Sequence, residues 1–180
     1  MILTNPPFGS KVTSEGILTD LASRDGISKN KGKVLKSLPQ EIVFLNRCLE
    51  LLKPSGKLAI VLPDGVLANS STQDVRDWIL RWARLKAIVS LPQATFSPYG
   101  AGVKTSIIFL EKRIDPLPAD TQLEIGHNLI DFDEEYEAYM AQIDDVGYDV
   151  NGRLSLTEEE AHEPPDIKEA IANFEKLMTW

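Results

Sequence analysis

The 180 residues predict an α/β domain with helices packed on a largely parallel sheet that closes in an antiparallel hairpin, followed by an acidic, mainly helical extension. Three observations carry this prediction. Short apolar runs alternate with amphipathic stretches through residue 113. The last two strand-like runs are joined by residues that hold no helical pattern, which favours a hairpin over a crossover. The charge also changes sign along the chain: residues 1–113 carry 16 Lys and Arg against 9 Asp and Glu, a net of +7, and residues 114–180 carry 3 against 18, a net of −15. The break falls in "FLEKRIDPLPAD", where Pro116 and Pro118 punctuate the chain, so residues 1–114 are expected to form one unit and residues 115–180 an appendage. Solvated faces of ordinary sign would give the same asymmetry.

"MILT" is short, apolar and ended by a turn signal, and reads as a buried strand. The polar "GSKVTSEGILTDLASRDGISKNKGKVLKS" has no sustained period and reads as a long loop, functional or disordered. In "PQEIVFLNRCLELLKPSGK", Ile42, Leu45, Leu49 and Leu52 recur at helical spacing, with Pro39 near the start and Pro54-Ser55-Gly56 as the stop. "KLAIVLP" is a strand ended by Pro63. "STQDVRDWILRWARL" is a second helix, opened by capping residues, with Val75, Ile79 and Trp82 on one face. "KAIVSLP" and "VKTSIIFLEK" are the hairpin strands, joined through "SPYGAG". Beyond residue 114, "FDEEYEAYMAQID" and "DIKEAIANFEKL" read as helices, with "GYDVNGRLSLTEEEAHEPP" as loop between them.

A hydrophobic content of 43% is enough for a core. No stretch approaches a membrane span and no targeting pattern opens the chain, so a cytoplasmic protein without membrane contact is expected. One cysteine, Cys48, excludes an internal disulfide framework and reads as a core residue. With only His127 and His162 beside it, no metal site is expected.

The chemistry concentrates in Asn5-Pro6-Pro7-Phe8. In an open α/β sheet, ligands sit beyond the carboxyl ends of the strands, where this tetrapeptide falls. Asn offers a side-chain carbonyl acceptor, and two prolines hold a stiff extended path without N–H groups that would compete for nearby carbonyls. The Asn5 side chain and a backbone carbonyl near Pro6 would together accept both hydrogens of an exocyclic amine, and Phe8 would stack on its ring. Such an amine is a poor nucleophile because its lone pair is delocalised. Two prepared acceptors favour the pyramidal nitrogen and balance the positive charge that develops as it attacks. The plainer reading of N-P-P is a turn and polyproline signal.

"NPPF" after a strand resembles the catalytic motif of the amino-methyltransferases that modify adenine N6 in DNA. "LPDGVL" and "SLPQATFSPYGAGVKTSIIFLEK" resemble the modification subunits of type I restriction-modification systems, and "VGYDVNGR" before a helix is similar to their carboxyl-terminal extension. The resemblance implies a partial Rossmann-like methyltransferase sheet acting on an adenine flipped out of the duplex. It implies S-adenosylmethionine as methyl donor, with Asn5 alone of this chain on the cofactor side. DNA and a specificity subunit are the implied partners, with an endonuclease subunit a further candidate. By the same resemblance Asn5 and Pro6 would bind the amine, Pro7 would complete the motif, Phe8 would stack, and Phe96 would pack on the base from another side. A hairpin core residue is the plainer reading of Phe96. Lys104 is a candidate substrate contact or, at a strand start, a structural residue, and Asp64 in "LPDGVL" is either functional or part of a plain turn. Lys29, Lys31, Lys33 and Lys36 form a basic loop for DNA phosphates or a solvated loop, and "NKGKVLKS" lacks the spacing of a P-loop.

The sequence departs from the family in one respect. The Gly-containing cofactor motif and the acidic residue of the following strand should precede "NPPF", yet only four residues stand there. The isolated chain is therefore expected to be inactive, and its first strand to be an apolar edge prone to self-association. Two alternatives stay open: a methyltransferase acting on a protein glutamine, and a non-catalytic remnant that binds partner subunits.

Overall fold

The computed structural model describes residues 1–24, 27, 29–30, 33–118 and 137–177. Its centre is a five-stranded sheet. The strands are β1 (Ile2–Thr4), β2 (Lys57–Pro63), β3 (Ala83–Leu91), β4 (Thr105–Lys112) and β5 (Tyr139–Gln142), in the spatial order β1-β2-β4-β3-β5. β1 pairs with β2 and β3 with β5 in parallel, while β4 runs antiparallel to both neighbours. Four of the five strands thus point the same way, and the hairpin expected from the sequence is formed by β3 and β4. The return strand of that hairpin slots between β2 and β3, so β4 occupies the middle of the sheet.

Helix α1 (Glu15–Arg24), helix α2 (Gln40–Leu51), the short α3 (Asp64–Ala68) and α4 (Gln73–Trp82) supply the main core together with one face of the sheet. Ile42, Leu45, Leu49 and Leu52 are buried, as their spacing predicts, and so are Val75 and Ile79. They meet Leu58, Ile60 and Leu62, the alternate residues of β2, each fully buried. Gly56 at the α2–β2 turn sits so close to Lys53 O, 2.7 Å from where a Cβ would stand, that no larger residue fits without a shift. The carboxyl end of β4 closes two helices. Lys112 Nζ donates to Leu52 O at 2.7 Å just past α2, and Arg113 Nε donates to Leu80 O at 3.1 Å in the last turn of α4. Cys48 lies in this core, and burial pushes its thiol pKa up.

The described part of the 10–37 segment is not the featureless loop its polarity suggests. It contains α1, because Leu18, Leu21 and Ala22 at i, i+3 and i+4 are buried, and Leu18 and Leu21 join the main core. Three apolar residues are too few to announce a helix by period, and tertiary burial decides. The excursion is closed at its base, where Lys11–Val12 pairs antiparallel with Leu38–Pro39 and Gln40 N donates to Ser10 O at 3.0 Å.

The helical reading of "FDEEYEAYMAQID" is corrected at Tyr139–Gln142, which form β5, in register with Ala87–Ser90. Its residues alternate between half-buried and exposed, and pairing to β3 outweighs the helix propensity of Met, Ala and Gln. Residues 119–136, including His127, lie outside the described residues. The "GYDVNGRLSLTEEEAHEPP" stretch, read as loop, carries the short helix α5 (Glu158–His162), opened by a capping box between Thr157 and Glu160. Helix α6 (Pro165–Leu177) forms where the sequence predicts it. A second, smaller apolar cluster of Leu91, Ile143 and Val146 gathers Val89, Phe96, Ile107, Tyr148, Ile167 and Ala170 around it. Phe174 of α6 packs on Phe109 of β4 at 5.1 Å between ring centroids. The acidic segment thus adds both a strand to the sheet and a helix beside it.

Candidate active site

The strand directions place the tetrapeptide. β1, β2 and β3 end, and β4 begins, at one edge of the sheet, so Asn5, Asp64, Pro92 and Lys104 all leave it on the same side. Asn5 and Pro7 are exposed, Pro6 is buried and Phe8 is half-buried. The side-chain acceptor is therefore presented to solvent while the proline behind it is fixed in the fold. Gly9 follows with φ +84°, a left-handed turn that favours glycine.

Phe8 and Phe96 come together. Their ring centroids are 6.2 Å apart with planes at 76°, an edge-to-face pair that makes two nearly perpendicular aromatic walls. Phe96 is carried by two short 3-10 turns, Gln93–Thr95 and Ser97–Tyr99. Its carbonyl accepts from Tyr99 N and Ala101 N, both at 3.1 Å. Behind the turn, Tyr148 Oη donates to Thr95 O at 2.9 Å.

Asp64 and Lys104 also meet, though not as free functional groups. Asp64 Oδ1 accepts from Ser106 Oγ at 2.7 Å, and Asp64 N donates to Lys104 O at 2.9 Å. Lys104 Nζ stands 3.9 Å from Asp64 Oδ2 in a half-exposed pair of small energetic weight. Asp64 thus clamps the end of β2 to the start of β4. Of the basic loop, Lys29 and Lys33 lie on a two-residue ladder, Lys29–Asn30 with Lys33–Val34. Lys33 and Lys36 are exposed, and Lys31 is outside the described residues. Among the described residues no three His, Cys, Asp or Glu side chains gather as metal ligands, and no helix is long and apolar enough to cross a membrane.

Sequence reasoning reaches Phe8 and Phe96 by resemblance, and it includes Tyr148 in the "VGYDVNGR" stretch without assigning it a role, since its partner is a backbone carbonyl. Nor does it show that Asp149 organises the Tyr148 turn. Asp149 Oδ1 accepts from Arg153 N at 2.9 Å and Asn151 N at 2.8 Å, and these amides hold its carboxyl below the usual aspartate range. A pKa lowered by folding means that this stabilisation is present above the unfolded pKa and lost as pH falls through the folded one. The Asn151 and Arg153 amide proton shifts are accordingly expected to titrate together, with a midpoint below the ordinary aspartate range. An NMR titration with a midpoint at or above that range would contradict the geometry.

Residues 1–140 match the N-6 DNA methylase family. The chain belongs to this family. Among N-6 DNA methylase relatives, the methylase subunit of the type I restriction enzyme EcoEI of Escherichia coli is 34% identical over 113 residues, which cover 62% of this chain and 21% of that protein. The EcoKI methylase subunit of Escherichia coli K12 is 30% identical over 113 residues, covering 62% and 18%. The chain thus spans about a fifth of the length of these curated relatives. A modification subunit assigned to a type I restriction enzyme of Vibrio vulnificus YJ016 superposes on 99% of this chain and 32% of its own, with TM-score 0.59 and 20% identity. A protein assigned as a class I S-adenosylmethionine-dependent methyltransferase of Listeria monocytogenes gives TM-score 0.59 at 17% identity, covering 99% and 42%. At these identities the superpositions establish the fold, a Rossmann-like methyltransferase sheet.

Proposed function

We propose that this chain is the adenine-binding half of a DNA adenine-N6 methyltransferase, of the kind that serves as a type I modification subunit. The observation that carries the reading is the Phe8–Phe96 pair at the carboxyl edge of the sheet, beside an exposed Asn5. Asn5 and the backbone carbonyl near Pro6 accept the two amine hydrogens of a flipped adenine, Pro7 keeps the path rigid, and the ring enters the corner between Phe8 and Phe96. S-adenosylmethionine supplies the methyl group when bound. The candidate residues Asn5, Pro6, Phe8 and Phe96 fit the acceptor adenine, and Asn5 is also the candidate on the cofactor side. Residues 1–114 would form this half and residues 115–180 the extension, with Lys104 and the lysines at 29, 31, 33 and 36 meeting DNA. A specificity subunit would read sequence, and an endonuclease subunit could join the assembly.

The test is N6-methyladenine measured by mass spectrometry after incubating DNA and S-adenosylmethionine with the chain alone, and with the chain joined to a cofactor-binding half from the family. The joined protein is expected to methylate adenine and the isolated chain is not. Methylation of protein glutamine instead, or of nothing by the joined protein, would sink the reading. One observation favours a second role. Among the described residues β1 pairs only with β2, and Met1 and Leu3 are largely exposed, so its other edge is open to association with another chain or a second copy.

A further inference from the structure

We propose that Tyr148 is a positioning residue for the Phe8–Phe96 pair, acting from the acidic extension through the turn that carries Phe96. The importance of that pair for adenine rests on the function proposed above; the positioning itself does not.

The geometry runs in one line. Tyr148 Oη donates to Thr95 O at 2.9 Å, and Thr95 is the residue before Phe96. Thr95 is tied back to the sheet, since its N–H and its Oγ1 both donate to Pro92 O, at 3.0 and 2.8 Å. These bonds anchor the turn on the side of β3, while Tyr148 holds it from the side of the extension. A second approach follows the first. Gly152, with φ +78°, brings its backbone near Pro98, whose side chain lies 3.5 Å from where a Cβ would stand.

The segment that presents Tyr148 is itself rigid. Asp145 Oδ1 accepts from Gly147 N and from Ser155 Oγ, both at 2.7 Å. Asp166 Oδ2, at the start of α6, accepts from Asp144 N and Asp145 N at 3.1 and 3.0 Å. Tyr148 and Leu154 form a bridge, and Asp149 fills the turn between them. Gly147 has φ +89° and lies under Ala161, 3.0 Å from where a Cβ would stand, so no side chain fits there without displacing α5. A phenol is a donor at neutral pH, and burial, with Tyr99 nearby, pushes the pKa of Tyr148 further up. The extension therefore contributes a prepared strut rather than a loose tail. A turn held from one side only would let Phe96 swing, and an aromatic wall must be fixed before its substrate arrives.

The test compares two variants that each lose one tyrosine hydroxyl bonded to a backbone carbonyl. Y148F removes the bond to Thr95 and keeps the ring's apolar contacts. Y139F removes the bond from Tyr139 Oη to Ala170 O, 3.2 Å long, between β5 and α6. In the full 180-residue chain with ring-labelled phenylalanine, NMR cross-peaks between Phe8 and Phe96 report the pair directly. Y148F is expected to lose roughly half the cross-peak intensity or more, the population shift that follows loss of one neutral hydrogen bond, and Y139F to match the wild type. An unchanged cross-peak in Y148F would overturn the proposal, as would an equal loss in both variants. A parallel titration with an adenine-bearing single-stranded oligonucleotide separates the two readings. Absence of binding by the wild type would count against the proposed function, while a cross-peak lost only in Y148F would still support the positioning.

Discussion

Asn5→Ala is expected to lower adenine-N6 methyl transfer by roughly 10²–10³-fold in the chain joined to a cofactor-binding half, the scale on which one prepared dipole at a developing charge acts. The loss should appear in kcat more than in KM. Under the proposed function the carboxamide would matter most when the amine becomes pyramidal and positive, whereas ring stacking on Phe8 and Phe96 would act on ground state and transition state alike. Folding is expected to survive. Asn5 is exposed and its neighbour Pro6 holds the buried position, so unfolding free energy should change by no more than about 0.5 kcal/mol. Single-turnover methylation with matched denaturation curves would decide. A reduction of less than about tenfold would mean that the amine is activated elsewhere.

The second large effect concerns stability. Leu45→Ala should destabilise the chain by about 2–5 kcal/mol, because Leu45 is fully buried in the core between α2 and the sheet and truncation leaves a cavity that the packed strands cannot collapse into. Urea unfolding should show a lower midpoint with an unchanged slope. A cost under about 1 kcal/mol would mean that α2 packs more loosely than its neighbours indicate. Leu45 also illustrates what periodicity can and cannot say. The i, i+3, i+7 spacing of Ile42, Leu45 and Leu49 names the buried face of α2, but not the partner strand, which proves to be β2 with Leu58, Ile60 and Leu62.

The same division runs through the site. N-P-P-F at a strand end is legible because proline acts locally on its own backbone and on the residue before it. Asp64 was ambiguous from sequence, since P-D-G reads equally as a turn. Its hydrogen bond with Ser106, far along the chain, makes it a clamp between β2 and β4. Tyr148 stands in the "VGYDVNGR" stretch that carries the resemblance, but nothing local names its partner, because a phenol that finds a carbonyl on another loop leaves no record of that loop in its own neighbourhood.

By itself the sequence determined the strands β1 to β4, the helices α2, α4 and α6, the hairpin, and the proline-stiffened acceptor at the end of β1. Each follows from spacing, capping or backbone restriction within a few residues. The tertiary structure alone decided that β4 lies between β2 and β3, that residues 139–142 leave the helical pattern to join the sheet, and that α1 forms inside a polar stretch. It alone set Phe96 against Phe8 and Tyr148 behind it. The physical reason is common to all of these. They are contacts between segments distant in sequence, whose free energy comes from burial and pairing once the chain has closed, and local pattern holds no record of which partners closure will bring together.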